Sequence, residues 1–346
     1  MALDHANSFI AHGKLQPELW ADMFPNYQGY PPLTFMTRLV THLAAPGFFF
    51  LMGTGMAMLA RNRQKKDWSK RHITFHFLAR GILLILLQFT LENLAWSLKE
   101  PVGIYFGVLY GLGSVMIIGS LMLYLPQRAL LLLSGVLIIA TELLLPQTRV
   151  GFVEYPLLLR MWLLPGFSGP ILVLYPIMPW LGVSGLGMVY GHWLQGHPLA
   201  TYRRAFWMGT VAILLFIFVR WLDAFGNIRP LAADDWVAFL NVVKYPPSIT
   251  FLLLTLGTLL LLIALFSRLP AILLWPLAVF GSVPLFFYIS HLFLYGFWGR
   301  WLAPEGMGIP RMIPFWLLGL LILWPLCLFY GRFKHGRDPN SIWRFF

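Results

Sequence analysis

The sequence predicts an all-α integral membrane protein, a polytopic transmembrane helix bundle, and three observations predict it. Of the 346 residues, 59% are hydrophobic and 11% are charged, whereas soluble domains carry about 25% charged residues. The mean hydropathy is +0.72. The 15 Trp and 13 Tyr residues suit aromatic belts at the two membrane interfaces. A soluble globular domain is therefore excluded.

Nine segments are long and apolar enough to predict full membrane spans. We expect a single integral membrane domain over residues 1–346, with residues 1–12 the remnant of a truncated first helix. Residues 13–32 then form an outer loop, 33–331 the nine-span bundle and 332–346 a cytoplasmic tail. The predicted spans are 33–60, 73–97, 103–125, 129–145, 171–192, 205–222, 248–266, 271–297 and 313–331.

The net charge of +12 is confined to alternate connections, which argues against nucleic-acid binding. One set, which includes the run 61–71 and the tail, holds fourteen basic and two acidic residues, while the opposite set holds eight of each. The positive-inside rule places the basic set and the C-terminus in the cytoplasm. The run 61–71 is mainly a topology signal, with the holding of a phosphorylated cofactor as the alternative.

The first span carries polar groups that a lipid-facing helix avoids. Arg38 and His42 lie near its outer end, and Pro46 interrupts its hydrogen bonding. Ionisable side chains inside a membrane cost several kcal/mol and are usually functional. A proline is tolerated where neighbouring helices satisfy the released carbonyl. This segment is expected to form one wall of a polar cavity.

The remaining elements place further polar side chains at the same predicted depth. Glu92, Glu142 and Arg220 lie within about two turns of the outer ends of their spans. Tyr288 and His291 lie in the outer third of the eighth span, and Asp4 and His5 lead towards the outer face. We expect Arg38 and Arg220 to pair with Glu92, Glu142 or Asp223. Structural ion pairs between helices are the alternative for Glu142 and Arg220.

These positions give a set of candidate site residues. The candidate catalytic residues are Asp4, His5, His42 and His291, and the candidate substrate-binding residues are Arg38, Glu92, Trp180, Arg220, Lys244 and Tyr288. Arg80 lies alone in the inner half and is the candidate cofactor-binding residue. No metal is expected, and Cys327 is interpreted as a buried apolar residue.

Six blocks of the sequence resemble a known family. These are MALDH, LTFMTRLVTHLAAPGFFFLMGTG, ARGILLILLQFTLENLAW, YPIMPWLGVSGLGMVYG, VKYPPSITFLLLTLG and VFGSVPLFFYISH. They look like the heparan-α-glucosaminide N-acetyltransferase catalytic-domain family, more its bacterial branch than its lysosomal enzyme. The resemblance implies transfer of an acetyl group from acetyl-CoA to a sugar amine or hydroxyl, in a bacterial cytoplasmic membrane.

The resemblance also implies roles for individual residues. Asp4 lies at or beside a polar position at the end of the family's first helix, whose earlier part this sequence lacks. His291 matches a histidine common late in these bundles, while His42 lies near the position of the lysosomal enzyme's catalytic histidine but not on it. The implied partners are the lipid bilayer and a sugar or glycolipid acceptor.

Acyl transfer requires a base and groups that stabilise an oxyanion. We expect His42 or His5 to be the base, oriented by Asp4, with Arg38 or Tyr288 stabilising the negative charge. Direct transfer and an acetyl-histidine intermediate are both compatible with these residues. Two other functions remain open: a transporter or flippase of a lipid-linked sugar, and a b-type haem protein that uses His42 and His291.

Overall fold

The computed structural model describes residues 1–12, 19–21, 32–98, 103–146, 154–338, 341 and 343. Most of the predicted outer loop 13–32 and the end of the predicted tail therefore lie outside the described residues. The helices are α1 (Ala2–Ala6), α2 (Pro32–Thr41), α3 (Ala44–Gln64), α4 (Lys70–Leu87), α5 (Asn93–Ser97), α6 (Val108–Met122), α7 (Gln127–Leu143), α8 (Leu157–Trp162), α9 (Ile177–Gly196), α10 (Pro198–Leu222), α11 (Trp236–Leu240), α12 (Ile249–Phe266), α13 (Ala271–Ser282), α14 (Pro284–Leu302) and α15 (Gly308–His335).

Two π-helical turns and three short strands complete the described structure. The π-helical turns are Asn7–Ala11, directly after α1, and Gln88–Glu92, between α4 and α5. The strands are β1 (Ile104–Phe106), β2 (Gly166–Ser168) and β3 (Ile171–Val173). The prediction of a mostly helical protein is therefore confirmed.

Within the described residues, five helical segments are long and apolar enough to cross a membrane. They are Pro32–Gln64, Lys70–Ser97, Pro198–Leu222, Ile249–Phe266 and Gly308–His335. A sixth is the pair α13 and α14, which is bent by 78°. Each of the nine predicted ranges contains helix, but α6 has 15 residues and α7 has 17, fewer than the roughly 20 that a regular span needs.

Several predicted spans are interrupted where the sequence suggested continuous helix. The first is divided between α2 and α3 at residues 42–43, and the eighth is broken at Val283, directly before Pro284. Proline disfavours helical backbone in the residue that precedes it. The third and fifth predicted spans begin in strands β1 and β3 rather than in helix.

The three strands form one small sheet in the order β1-β3-β2. Strand β1 pairs in parallel with β3, with Tyr105 opposite Leu172, and β2 pairs antiparallel with β3. The sheet joins the start of α6 to the segment before α9. It thereby positions Tyr105 and Tyr175, which become important at the site.

Helices α3 and α9 make the closest packing in the bundle. A Cβ atom on Gly53 or Gly187 would overlap a backbone carbonyl group of the facing helix. The hydroxyl group of Thr54 donates a hydrogen bond to the carbonyl oxygen of Gly187, at 3.0 Å. Small residues allow such close approach between apolar helices. The pair α3–α9 forms the rigid wall behind the polar side chains described next.

Candidate active site

A pair of histidines lies where the N-terminal helix meets α14. His5 Nδ1 is 2.7 Å from His291 Nε2. The planes of the two rings make an angle of 5°, and the ring centroids are 4.9 Å apart. His291 is fully buried, whereas His5 is half-buried. The sequence placed both residues among the candidate catalytic groups, and the structure brings them into direct contact across 286 positions.

The hydrogen bonds of this pair assign its tautomers. His291 Nδ1 lies 2.7 Å from the carbonyl oxygen of Phe287, and a carbonyl oxygen only accepts. His291 Nδ1 therefore carries a proton, and in a neutral ring Nε2 is the acceptor. It follows that His5 Nδ1 donates to His291 and that His5 Nε2 carries a lone pair. The half-buried histidine is thus oriented as a base by the buried one.

Asp4 does not orient a histidine in the way that the sequence suggested. Its carboxylate accepts a hydrogen bond from Arg38 Nη1 at 3.2 Å and lies 3.3 Å from the hydroxyl oxygen of Thr41. This ion pair replaces the predicted pairing of Arg38 with Glu92, Glu142 or Asp223. The negative charge of Asp4 still acts on the adjacent His5.

Lys244 adds a second positive charge near the histidine pair. Its ammonium group is 5.0 Å from the centre of the Tyr245 ring, and only 3% of the residue is exposed. Its charge acts on both Asp4 and His5. The structure therefore brings this predicted binding residue to the site.

Glu92 and Tyr288 form another polar contact of the same site. The hydroxyl group of Tyr288 lies near the Glu92 carboxyl group, and both residues are buried. The Tyr288 ring lies edge-on to His5 at a centroid distance of 5.9 Å, and Trp96 does so at 5.5 Å. Both predicted residues thus adjoin the histidine pair.

Three tyrosines of the site were not predicted. Tyr175 and Tyr245 share a hydrogen bond, with their hydroxyl oxygens 3.2 Å apart. The Tyr105 ring lies edge-on to Trp96, the neighbour of His5, at a centroid distance of 6.2 Å. The only available signal was their position beside turns and short strands, since Tyr105 lies in β1 and Tyr175 directly precedes α9.

His42 occupies a different position from the histidine pair. It lies in the break between α2 and α3, where its ring is edge-on to Phe251 at 5.4 Å. His291 has one ring nitrogen engaged by Phe287 and the other by His5. The predicted alternative in which His42 and His291 hold a haem therefore does not match this arrangement.

A large part of the chain matches a known protein family. Residues 19–227 match the family described as Heparan-alpha-glucosaminide N-acetyltransferase, catalytic. The chain belongs to this family. No curated protein matches the chain. Membership in this N-acetyltransferase family and the long apolar helices indicate a membrane acetyltransferase.

The match to the N-acetyltransferase family covers only part of the site. Arg38, His42 and Glu92 lie inside the matched residues, whereas His5 and His291 lie outside them. The histidine pair is therefore a property of the folded chain that the family match alone does not supply.

Trp180 is buried below the site rather than at an open entrance. It is fully buried, and its ring stacks on Phe49 with centroids 4.6 Å apart and tilts against Tyr175 at 5.8 Å. The structure gives Trp180 no surface that is accessible from outside the protein, and its predicted role in substrate binding stays a prediction. Its ring packs against Tyr175 and so supports the group of Tyr105, Tyr175 and Tyr245, which we call the tyrosine wall.

Arg220 is a loop-organising residue rather than a binding residue. Nε donates to the Phe239 carbonyl group at 2.9 Å, and Nη1 donates to Asn227 Oδ1 at 2.9 Å and to the Arg229 carbonyl group at 3.1 Å. Nη2 donates to the carbonyl groups of Ala238 and Asn241. All five N–H groups of a guanidinium are thereby used. None is left for a substrate.

Glu142 and Asp223 complete the cluster around Arg220. Glu142 Oε1 accepts hydrogen bonds from the backbone N–H groups of Gly226 at 2.6 Å and Ile228 at 3.2 Å. Asp223 lies 4.0 Å from Arg220 and accepts from the N–H group of Leu231. The predicted Arg220–Asp223 pair is present, and its role is to hold the 223–241 loop.

Arg80 lies in the middle of α4, ten residues after its first residue, Lys70. The positive charges of Arg80 and Arg63 both act on His76, and the Arg63 guanidinium lies 4.3 Å from the centre of the Trp68 ring. This cluster adjoins the basic connection 61–71. Twelve residues separate Arg80 from Glu92, which corresponds to about 18 Å along a helix. Among the described residues, no group of three metal-binding side chains is present.

Proposed function

We propose that this chain transfers the acetyl group of acetyl-CoA to an amine or hydroxyl group of a sugar in an envelope glycan or glycolipid. The observation that carries the proposal is the lone pair on His5 Nε2, fixed by the hydrogen bond from His5 Nδ1 to His291. An acyl acceptor must lose a proton as it attacks, and a correctly oriented imidazole removes it.

The reaction can be written with the residues present. The acceptor nitrogen or oxygen attacks the thioester carbonyl carbon, and His5 Nε2 takes the acceptor proton. The tetrahedral intermediate collapses by breaking the carbon–sulfur bond, and the imidazolium returns the proton to the leaving thiolate. His291 holds the imidazole in orientation throughout, which is the function that a carboxylate performs in a serine hydrolase triad. An acetyl-His5 intermediate uses the same nitrogen as nucleophile.

The charges around His5 support the intermediate. Lys244 and Arg38 carry positive charge, and Tyr288 and Tyr245 provide hydroxyl groups. Preorganised donors in a site that excludes water stabilise a developing oxyanion. Asp4 balances Arg38, so Lys244 is the cation that we assign to the negative charge of the intermediate.

We further propose an arrangement in the membrane. The chain forms one membrane domain with nine crossings in a bacterial cytoplasmic membrane, and its C-terminus is cytoplasmic. The phosphates of acetyl-CoA bind at the basic end, where Arg80 and Arg63 lie. The pantetheine arm then covers the distance of about 18 Å to Glu92, and the acceptor reaches His5 from the outer side.

The test is acetyl transfer from labelled acetyl-CoA by the full chain in membranes, with a glucosamine-containing acceptor. We expect His5→Ala to lower the rate by about 100- to 10,000-fold because the general base is lost. His197→Ala is the matched control, since His197 is exposed in the turn between α9 and α10. It should retain the wild-type rate.

His42→Ala separates the two bases that the sequence left open. Loss of transfer in His42→Ala together with a wild-type rate in His5→Ala would move the base to His42 and contradict the proposal. Movement of a lipid-linked sugar without any requirement for acetyl-CoA would instead support a flippase.

A further inference from the structure

An apolar groove is formed by residues other than those of the histidine site. It has a volume of about 250 Å³ and is lined by side chains of α7, α9, α10 and α12, with Phe50 of α3 among them. Helix α7 packs on α9 and α10 packs on α12, so the groove separates two helix pairs. The lining is almost entirely Leu, Ile, Val and aromatic residues.

One polar group interrupts this lining. Tyr190 lines the groove and is only 3% exposed, and its buried hydroxyl group has no hydrogen-bond partner among the described residues. A buried hydroxyl group without a partner costs about 1–3 kcal/mol. A ligand that places a carbonyl oxygen in an otherwise apolar groove would remove this cost.

A cation lies beside one of the residues that line the same groove. Trp193, one helical turn from Tyr190, also lines the groove, and the Arg204 guanidinium lies 5.7 Å from the centre of the Trp193 ring. This is the basic end of the bundle, because Gln195 donates a hydrogen bond to the carbonyl group of Met58, near the 61–71 connection. A guanidinium stacked on an aromatic ring keeps its N–H groups directed outward in its own plane, where they bind phosphate well.

We propose that this groove binds one anionic glycerophospholipid of the leaflet at the basic end. Its phosphate contacts Arg204, an ester carbonyl oxygen accepts a hydrogen bond from Tyr190, and the acyl chain fills the groove between the pairs α7–α9 and α10–α12. The order of the protein groups, from cation to hydroxyl to apolar wall, matches the order of phosphate, ester and chain in such a lipid. The lipid would bridge two helix pairs that contact each other only weakly.

The experiment measures lipid retention by native mass spectrometry of the full chain in mild detergent. Phosphatidylglycerol and phosphatidylcholine with the same acyl chains are added in parallel, so that only the headgroup charge differs. We expect one tightly retained lipid in the wild type, with a preference for phosphatidylglycerol. Arg204→Gln should reduce that preference by about tenfold, since a charged hydrogen bond to phosphate is lost.

Tyr190→Phe tests the ester contact separately. It should weaken binding of both lipids by about fivefold, the effect of one hydrogen bond, and leave the headgroup preference intact. Tyr110→Phe and Arg268→Gln are the matched controls, because Tyr110 is a buried tyrosine on α6 outside the groove and Arg268 is an exposed arginine. Both controls should behave as wild type.

Leu256→Trp fills the groove without removing a polar group and should abolish the retention of both lipids. Wild-type lipid retention in Leu256→Trp would overturn the proposal and place the lipid on the general protein surface. Lipid retention and headgroup preference equal to those of the wild type in both Tyr190→Phe and Arg204→Gln would do the same. The readout is independent of acetyl transfer, so His5→Ala should retain the lipid as the wild type does.

Discussion

The molecule contains two buried polar clusters that differ in how completely their hydrogen bonds are satisfied. Around Arg220, five N–H donors meet five acceptors from one loop, and Glu142 accepts two further backbone N–H groups. Around His5, the hydrogen bonds run in one direction, from His5 to His291 to a carbonyl group, and end in a lone pair on His5. We call the first cluster closed because its guanidinium has no free N–H group, although Glu142 Oε2 and Asn241 Oδ1 have no hydrogen-bond partner among the described residues. We call the second cluster open because its hydrogen bonds end at His5 Nε2.

This difference separates a structural cluster from a reactive one. A guanidinium whose five N–H groups all meet acceptors of one loop fixes that loop and has no donor left for a ligand. An open network leaves a titratable nitrogen that a substrate can reach. The sequence contains an arginine or a histidine with nearby acids in both places, so only the hydrogen bonds distinguish them.

The largest expected effect is on stability, at the closed cluster. Arg220→Met keeps the length of the side chain but leaves five acceptors without their donor. We expect a loss of about 3–5 kcal/mol in the free energy of unfolding, as for a broken buried ion pair. Thermal unfolding in detergent measures it, with the exposed Arg268→Met as control. A loss of stability in Arg220→Met that is no larger than the loss in Arg268→Met would show that the cluster is not structural.

The next effect concerns the orientation of the base. His291→Ala removes the group that fixes His5, and we expect the acetyl-transfer rate to fall by about 10- to 100-fold, as for other residues that orient a catalytic ligand. His291→Gln can still accept from His5 and donate to Phe287, so it should recover a large part of that loss. Equal rates in both variants would contradict an orienting role.

A smaller effect is expected for the acid of the closed cluster. Glu142→Gln preserves the shape and one acceptor oxygen but removes the charge that strengthens the hydrogen bonds from Gly226 and Ile228. The expected loss of stability is about 1 kcal/mol. Acetyl transfer per folded molecule should be unchanged. The exposed Glu305→Gln serves as the control, and a fall in transfer alone would place Glu142 in the site.

The smallest effect is expected at the tyrosine wall of the open cluster. Tyr245→Phe removes the hydrogen bond to Tyr175, whose two oxygens are 3.2 Å apart. The loss of stability should be about 0.5–1.5 kcal/mol. Thermal unfolding of Tyr245→Phe, Tyr175→Phe and the double variant measures the coupling between the hydroxyl groups. Strict additivity of the two single changes would show that the hydrogen bond contributes nothing.

Part of the site was predictable from the sequence because depth in a membrane can be read from span positions. Asp4, His5, Arg38, Glu92, Tyr288 and His291 were predicted at one level, and the structure gathers them. The sequence did not predict which of these side chains pair with each other. Arg38 pairs with Asp4 because α1 contacts α2, and hydropathy carries no information about which helices are neighbours.

The features that the sequence did not predict depend on contacts that leave no pattern in the sequence. Strands of three residues give no usable alternation of apolar and polar side chains, so Tyr105 was interpreted as part of an apolar span. The acceptors of Arg220 lie mainly on backbone carbonyl groups of the 223–241 loop, whose path no side-chain pattern specifies. Trp180 was predicted to bind substrate, but packing against Phe49 buries it.

The central claim is that His5 Nε2 is the reactive atom, and peptide-resolved labelling with diethyl pyrocarbonate tests it most directly. This reagent acylates neutral imidazole nitrogens that solvent can reach. We predict that His5 is labelled while the fully buried His291 is not, that acetyl-CoA with acceptor slows the labelling of His5, and that acetyl transfer disappears in proportion to that labelling. Complete labelling of His5 with transfer intact would contradict the account.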